Sequence, residues 1–222
     1  IYQHDDESND KDLFALCMDQ DGSVVWAETP ICEADELQTF AKIVEVDGGL
    51  VAVWEDQRRG GTIRDLYGQL ISPTGTLGWE ADGALLVEAD NQQNELTLNS
   101  SGFDAQWFWL TWKSSQDGQT EDILTQRFDL NGDALLTPAG GIGIGADGNP
   151  QQTPETVMDD VDGLYIIWEE TETGELFSNL KFTRVNTDGE IVETPIEGDF
   201  LTQAYHRQAE ISAVSDEYGG FI

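Results

Sequence analysis

Apolar and polar residues alternate through most of this chain in short runs that end in turn residues such as Asp, Asn and Gly. A period of two places successive side chains on opposite faces of a β-strand, whereas an amphipathic helix needs apolar residues every three or four positions. No long stretch has the helical spacing. The pattern therefore predicts an all-β chain of short strands joined by tight turns.

The same pattern recurs with a period of 53 to 58 residues. In its clearest copy, Gly48–Leu70, an apolar strand ends at Trp54, an acidic turn with glycines follows, and a second strand opens at Asp65. Related copies are Phe108–Phe128 and Leu164–Leu180. A period of this length with four strand-like segments is typical of β-propellers rather than of helical solenoids.

Each period divides into four predicted strands, A to D in chain order. Strand A follows a Gln, strand B is apolar on both faces and ends at the Trp, strand C opens at an acidic residue, and strand D is short. The predicted strands A are Gln38–Val46, Gln93–Leu98, Gln152–Met158 and Gln208–Val214, and the acidic residues that open strands C are Asp12, Asp65, Asp122 and Glu175.

These units define a single repeat region, residues 1–222, with about four four-stranded blades. The predicted boundaries are a partial blade over 1–37, blades over 38–91, 92–150 and 151–204, and a partial blade over 205–222. Either the two ends complete one blade together or the array continues beyond both ends. Because both termini fall within a predicted strand, we expect continuation.

The repeat resembles one that is common in secreted and cell-surface bacterial proteins, W-x-D-x-R-x-G-x-x-D-[IL]-Y-x-Q-x-[LF]-x-x-x-G. Two copies depart from it, with Ser114 and Gln116 in place of Asp and Arg, and Glu175 and Asn179 in place of Asp and Gln. The resemblance implies a β-propeller that is extracellular, on the cell surface or in the periplasm, and it implies little about activity. The residues of the best match are Trp54, Asp56, Arg58, Asp65, Leu66, Tyr67, Gln69, Leu70 and Gly75.

Charge narrows the classes of partner. The chain has 10 Lys and Arg against 44 Asp and Glu, a net charge of −34. Such a chain is repelled by nucleic acids and by anionic lipid surfaces, so we expect neither as a partner. It also has no apolar run of the roughly 18 residues that a membrane-spanning helix needs, so membrane insertion is not expected. The aromatic content distinguishes it from a disordered acidic tail.

Several motifs have both a structural and a chemical interpretation. Cys17 and Cys32 fall in neighbouring predicted strands, where a disulfide closing about 15 residues would contribute about 3 kcal/mol, and two free thiols are an equal alternative. The turns at Asp19–Gly22 and Asp129–Asp133 resemble the start of a calcium loop but lack its glutamate at position twelve. We expect no cofactor, and calcium stabilisation remains an alternative.

Other recurring residues are also interpreted as structural. The residues Asp65, Asp122 and Glu175 are expected to hold backbone N–H groups of the B–C turns. Three tryptophans, Trp107, Trp109 and Trp112, are expected to pack within a blade, with a sugar-stacking platform as the alternative. The run Gly141–Gly145 lacks the helix and the Lys of a nucleotide-binding loop, so we reject that function for it.

The candidate site lies at the B–C turns, which gather with the D–A loops on one face of a propeller. Three of these turns are acidic, over 4–10, 116–121 and 169–172, whereas the turn of the clearest repeat has an Arg cluster. One hypothesis is that this face binds a cation or a cationic partner through its carboxylates, with the Arg cluster as an anion or inter-blade contact. The favoured interpretation is solvated loops with weak internal ion pairs. The predicted ligand-binding residues are Asp56, Arg58, Arg59 and Arg64.

The most consistent function is a non-enzymatic exported scaffold for adhesion, or for protein or glycan contact at the B–C face. The alternative is a propeller-type glycosidase or lyase with axial carboxylates. The only histidines, His4 and His206, form no recognisable triad or metal pair, so no catalytic residue is assigned. An enzyme should place two or three inward carboxylates with perturbed pKa values around one pocket, whereas a scaffold should use its acids as caps.

Overall fold

The computed structural model describes residues 1–5, 11–88, 92–115, 121–145, 148–172, 174–192, 194–203 and 206–222. Within these ranges the chain forms sixteen β-strands and no helix, which confirms the all-β prediction. No described segment is a helix long and apolar enough to cross a membrane. The strands are β1 (Tyr2–Asp5), β2 (Lys11–Met18), β3 (Val24–Cys32), β4 (Gln38–Val46), β5 (Gly49–Asp56), β6 (Asp65–Ile71), β7 (Ala84–Val87), β8 (Gln92–Asn99), β9 (Trp107–Ser115), β10 (Glu121–Asp129), β11 (Ile142–Ile144), β12 (Gln151–Met158), β13 (Leu164–Glu170), β14 (Asn179–Val185), β15 (Ile191–Val192) and β16 (Asp199–Thr202).

The strands form four antiparallel sheets, each of which follows chain order. Sheet I is β1-β2-β3, sheet II is β4-β5-β6-β7 and sheet III is β8-β9-β10-β11. Sheet IV is β12-β13-β14-β15, and β16 also pairs with β14. Most paired strands are therefore consecutive in the chain and joined by a turn or a loop, and the longest of these connections, from β6 to β7 and from β10 to β11, have twelve residues each.

Successive sheets pack face to face through their central strands. One core joins sheets I and II around Trp54 and Ile31, a second joins II and III around Trp112 and Phe128, and a third joins III and IV around Trp168. The strands β5, β9 and β13 are buried on both faces, which is why they lack the alternation of a half-exposed strand.

A glycine covers the indole of each of these central tryptophans. A Cβ atom at Gly83 would lie 2.4 Å from Cη2 of Trp54, and one at Gly141 would lie 2.6 Å from Cη2 of Trp112. Both glycines also have positive φ, 85° and 102°, a region that other residues rarely adopt. Gly141 is therefore a packing residue, in keeping with the rejection of a nucleotide-binding loop.

The end of the chain differs from the prediction. No strand covers Gln208–Val214, although its pattern predicts strand A. The segment turns back on itself, because Val214 and Ile222 exchange two backbone hydrogen bonds, and its Phe221 packs against Tyr165 and Phe182 of sheet IV. Phe221 thus covers part of the face of sheet IV that carries Tyr165 and Phe182.

The Asp-containing turns are closed by side-chain hydrogen bonds. Oδ1 of Asp129 accepts from the N–H groups of Asn131 and Asp133, at 2.8 and 3.0 Å, and Oδ1 of Asp19 does the same for Asp21 and Ser23. Burial raises the pKa of Asp129, but these donors outweigh it and lower the pKa below its usual value. The carboxylates therefore act as turn caps.

Candidate functional site

Buried glutamines anchor the loops around the candidate site. Glutamine side-chain amides at the start of strand A bind the preceding loop: Nε2 of Gln38 donates to the carbonyl oxygen of Ala34 at 3.0 Å, and Nε2 of Gln151 donates to the carbonyl oxygen of Gly145 at 2.7 Å. In strand C, Oε1 of Gln69 accepts from the backbone N–H of Trp79, and Gln126 binds the backbone in the same way. The recurring Gln of the sequence is thus a loop anchor.

The bulge in each strand A corrects the predicted register. Phe40, Glu95 and Thr153 have positive φ of 55°, 52° and 49°, each at a register shift in its strand. Since each lies two residues after the buried glutamine, the equivalent of Gln38 in sheet IV is Gln151, and the prediction of Gln152 was wrong by one residue. Positive φ at non-glycine residues is a strained conformation that often accompanies functional sites.

The register of strands B and C also corrects the acidic series. Trp54 lies opposite Tyr67, and Trp168 lies opposite Lys181. The residue equivalent to Asp65 in sheet IV is therefore Asn179, and Glu175 lies in the preceding turn. The prediction that Glu175 belongs to this series was wrong, because it relied on residue type and not on pairing.

Asp56 is a buried carboxylate with several donors. Its Oδ2 accepts from Nε1 of Trp54 at 2.8 Å and from Nη2 of Arg58 at 2.7 Å, and its Oδ1 accepts from the backbone N–H and Nε of Arg58, both at 2.9 Å. The same Arg58 guanidinium lies 3.7 Å from the ring centroid of Tyr67 and donates to Sγ of Cys32 at 3.2 Å. Arg58 therefore links sheets I and II.

The pKa of Arg58 reflects this pairing. Burial lowers the pKa of the guanidinium, but the hydrogen bonds and charge of Asp56 outweigh burial and raise the pKa above its ordinary value. Because the Asp56 side chain is 0% exposed and that of Arg58 is 21% exposed, only the arginine reaches solvent. A ligand at this turn would contact Arg58 before Asp56.

The other two arginines of the turn are also paired. Nε and Nη2 of Arg59 donate to the two carboxylate oxygens of Asp65, each at 2.6 Å, in a bidentate arrangement. Nη1 of Arg64 donates to Oε2 of Glu55 at 2.7 Å. The cluster therefore neutralises its own acids, and the Asp65 carboxylate, expected to hold the turn's backbone, binds the Arg59 side chain. Binding of an outside ligand by these residues stays a prediction.

In sheets III and IV, other residues accept the hydrogen bond from the indole N–H of the central tryptophan. In sheet III, where Ser114 replaces the aspartate, Nε1 of Trp112 donates to Oε1 of Gln93 at 2.6 Å. In sheet IV, Oε2 of Glu170 accepts from Nε1 of Trp168 at 2.9 Å, and the partner cation is Lys181, with Nζ 2.5 Å from Oε1 of Glu170. Each central indole N–H therefore has an acceptor.

The acidic turns are only partly described. Residues 6–10 and 116–120 lie outside the described ranges, as does residue 173. Of the described acids, Glu121 lies 3.4 Å from Nζ of Lys113, and Glu169 is buried and accepts from Oγ1 of Thr153 at 2.9 Å. The two histidines are apart, since His4 lies in β1 and His206 packs against Phe177.

A cavity of about 330 Å³ lies where strands β4, β8 and β12 approach one another. It is lined by Phe40, Lys42, Glu55, Arg64, Asn94, Glu95, Leu96, Thr97, Pro154 and Glu155. Backbone donors connect the sheets here: the N–H of Glu95 donates to Glu55 at 3.3 Å, and the N–H of Thr153 donates to Glu95 at 2.8 Å. Three carboxylates from three sheets thus border one cavity.

Two of these carboxyl groups have perturbed pKa values. Burial raises the pKa of Glu55, and Arg64 only partly opposes the effect. Burial likewise raises the pKa of Glu155, against the opposing charge of Lys42 and a hydrogen bond from the backbone of Ala213. Sequence reasoning missed this cavity, because the strand A bulges that form it have no signature in the residue pattern.

Three predicted alternatives remain: a sugar-stacking platform of tryptophans, a disulfide between the two cysteines and a metal site. Trp109 and Trp112 are fully buried, which excludes them from a sugar-stacking platform. Cys17 and Cys32 are both free thiols. Because Cys32 pairs with Leu13, four residues from Cys17, the two lie about 13 Å apart, well beyond disulfide reach. Within the described ranges, no three His, Cys, Asp or Glu side chains are grouped to hold a metal ion.

No protein-family model matches the chain, and no curated protein matches it in sequence. Among solved structures, it is similar to an endo-arabinase from Bacteroides thetaiotaomicron VPI-5482. The likeness has a TM-score of 0.49 and 13% identity, and covers 95% of this chain and 78% of that one. A similarity of this degree carries no conclusion about activity.

Proposed function

We propose that this chain is a non-enzymatic exported repeat domain, built as a β-propeller, that presents a rigid surface for adhesion to a protein or a glycan. The observation that carries the proposal is the use of its recurring acids. Asp56, Asp65 and Glu170 each hold an internal cation, and Asp19 and Asp129 cap turns. Carboxylates committed in this way build a scaffold rather than a reaction centre.

The architecture supports the propeller. Four consecutive sheets stack face to face in chain order, and their first strands approach one another at the cavity lined by β4, β8 and β12. Stacked antiparallel blades around an axis have this connectivity. Export to the cell surface, the extracellular space or the periplasm rests on the resemblance of the Trp54–Gly75 repeat to exported bacterial proteins.

A second candidate is a carbohydrate-active enzyme, a glycosidase or lyase. It is favoured by Glu55, Glu95 and Glu155, which come from three sheets, and by the raised pKa values of Glu55 and Glu155. Against it, Arg64 binds Glu55 at 2.7 Å and Lys113 binds Glu95 at 2.5 Å, so two of the three carboxylates are ion-paired.

A paired experiment tests the two functions. The purified chain is run on native gels that contain neutral or acidic polysaccharides, and is incubated with the same polysaccharides in an assay for new reducing ends and unsaturated products. We expect retarded migration, or retention on immobilised bacterial surface proteins, without bond cleavage. Cleavage that is lost in Glu155→Gln would overturn the scaffold, and so would the absence of any retention.

A further inference from the structure

The B–C turns of sheets II and IV have the same length but opposite charge. Asp65 lies eleven positions after Trp54, and Asn179 lies eleven positions after Trp168. Position by position, the three arginines at 58, 59 and 64 correspond to Glu172, Thr173 and Ser178. The turn of sheet IV has therefore lost the cations that neutralise the turn of sheet II.

The carboxylates in sheet IV outnumber the cations beside them. Lys181 is bound by Glu170 at 2.5 Å, and Arg207 lies 3.5 Å from Glu169. The contact of Lys181 with Glu172 is longer, at 3.9 Å. No cation of the described residues lies within ion-pair distance of Glu175. The turn thus has negative charge in excess of its internal partners.

A groove of about 590 Å³ opens beside these acids. Its rim includes Glu172 and Glu175, and its apolar wall is formed by Leu176, 88% exposed, and Phe177, 43% exposed. Asn179 also lines the groove and is only 7% exposed, yet no described residue hydrogen-bonds its side chain. The Asn179 amide is not among the described polar atoms that are sealed from solvent without a partner, so it is reached from the groove that the residue lines and is available to a ligand there.

The equivalent place in sheet II shows which group fits. There Asp65 is bound in bidentate fashion by the guanidinium of Arg59. In sheet IV, Asn179 supplies an acceptor at the same position, and Glu172 and Glu175 supply the charge. The exposed ring of Phe177 adds a favourable cation–π surface for a guanidinium, and Leu176 offers an apolar surface to the methylene groups of an arginine side chain.

We propose that this groove binds an arginine side chain presented by a partner protein, in the place that Arg59 occupies in sheet II. The inference rests on the proposed scaffold function and names the partner chemistry at one of its turns. The net charge of −34 would further speed the approach of a basic partner.

The test is an NMR titration of the isotope-labelled chain with N-acetyl-arginine amide, and with N-acetyl-citrulline amide as the neutral control of the same shape. We expect saturable shift changes at the Asn179 side-chain amide and the Leu176 methyl groups with arginine only. Glu172→Gln/Glu175→Gln should weaken binding at least about fivefold, because an arginine that loses its carboxylates loses charge-assisted hydrogen bonds. Asn179→Asp should strengthen it by a similar factor.

The matched control is Asp21→Asn/Glu33→Gln, which removes two exposed carboxylates of sheet I. It should change the affinity less than about twofold, since distant exposed charges are screened by salt. Equal weakening by both double variants, equal binding of citrulline, or no change at Asn179 would each overturn the inference. Retention of surface proteins or polysaccharides with no arginine binding would reject this inference alone, whereas bond cleavage would reject the scaffold and leave the titration unchanged.

Discussion

Replacing Asp56 with Ala is expected to lower the free energy of unfolding by about 3 kcal/mol. The change leaves the Trp54 indole N–H buried without an acceptor and removes the counter-ion of Arg58. An unsatisfied buried donor costs about 1–3 kcal/mol and an unpaired buried charge about 3–5 kcal/mol. Because the Arg58 side chain is 21% exposed and gains water, its unpaired charge costs well below the fully buried value, and the expected total is about 3 kcal/mol. Asp56→Asn, which keeps an acceptor oxygen, should cost about half as much.

Urea unfolding followed by tryptophan fluorescence measures the effect. With an m-value of about 3 kcal/mol per molar, the midpoint should fall by about 1 M in Asp56→Ala. Ser114→Ala, at the equivalent position of sheet III, is the control, since the Trp112 indole is already bound by Gln93. A midpoint shift below about 0.2 M in Asp56→Ala, at an unchanged m-value, would refute the structural role of this carboxylate. An equal shift in Ser114→Ala would refute its specificity.

Four further predictions concern the Cys32 thiol, the Glu155 carboxyl group, the packing of Gly141 and the effect of calcium. Burial raises the pKa of the Cys32 thiol to about 12, so a thiol reagent at mildly alkaline pH should label Cys17 in the native protein and label Cys32 only in denaturant; equal labelling rates would contradict this. Folding raises the pKa of Glu155, so the folded state binds this proton more tightly than the unfolded state does, and the contribution of Glu155 to stability falls as the pH rises above its usual pKa of about 4.3. The melting temperature of Glu155→Gln, measured relative to the wild type, should therefore rise from acidic to neutral pH. A difference in melting temperature that is the same at every pH would contradict this prediction. Gly141→Ala should destabilise by about 1–3 kcal/mol, through overpacking against Trp112 and a strained φ, in the same urea assay; wild-type stability would show that the indole yields. Finally, the melting temperature should be the same in EDTA and in millimolar calcium; a calcium-dependent rise would restore the calcium-stabilised alternative.

The strand content followed from the sequence because its causes are local. Short apolar runs bounded by turn residues predicted the strands β5 and β9, and the tryptophans predicted the buried centres of the sheets. Side-chain period and turn chemistry act over a few residues, so they leave a clear mark on the chain. The acidic turns at Asp19 and Asp129 were interpreted correctly as turns for the same reason.

The site was harder to predict because it depends on pairing between strands. Gln151 and Gln152 are adjacent and of the same type, so only the pairing of Gln151 with Glu170 identifies the equivalent of Gln38, and residue type alone favoured Glu175 over Asn179. The charges of Arg58 and Arg59 were visible in the sequence, but the burial of their partner acids was not. Whether such a polar side chain is buried depends on the loops and sheets that cover it, and the residues of its own strand do not show this.

The glutamine anchors have a consequence for engineering. Gln38, Gln69, Gln126 and Gln151 hold the loops of their sheets by the main chain, through carbonyl oxygens and N–H groups that almost any amino acid supplies. Hydrogen bonds to the loop backbone do not depend on which side chains the loop carries. Foreign peptides grafted into these loops should therefore stay attached to the sheets, and the domain is suited to displaying variable loop sequences on a constant β-sheet framework.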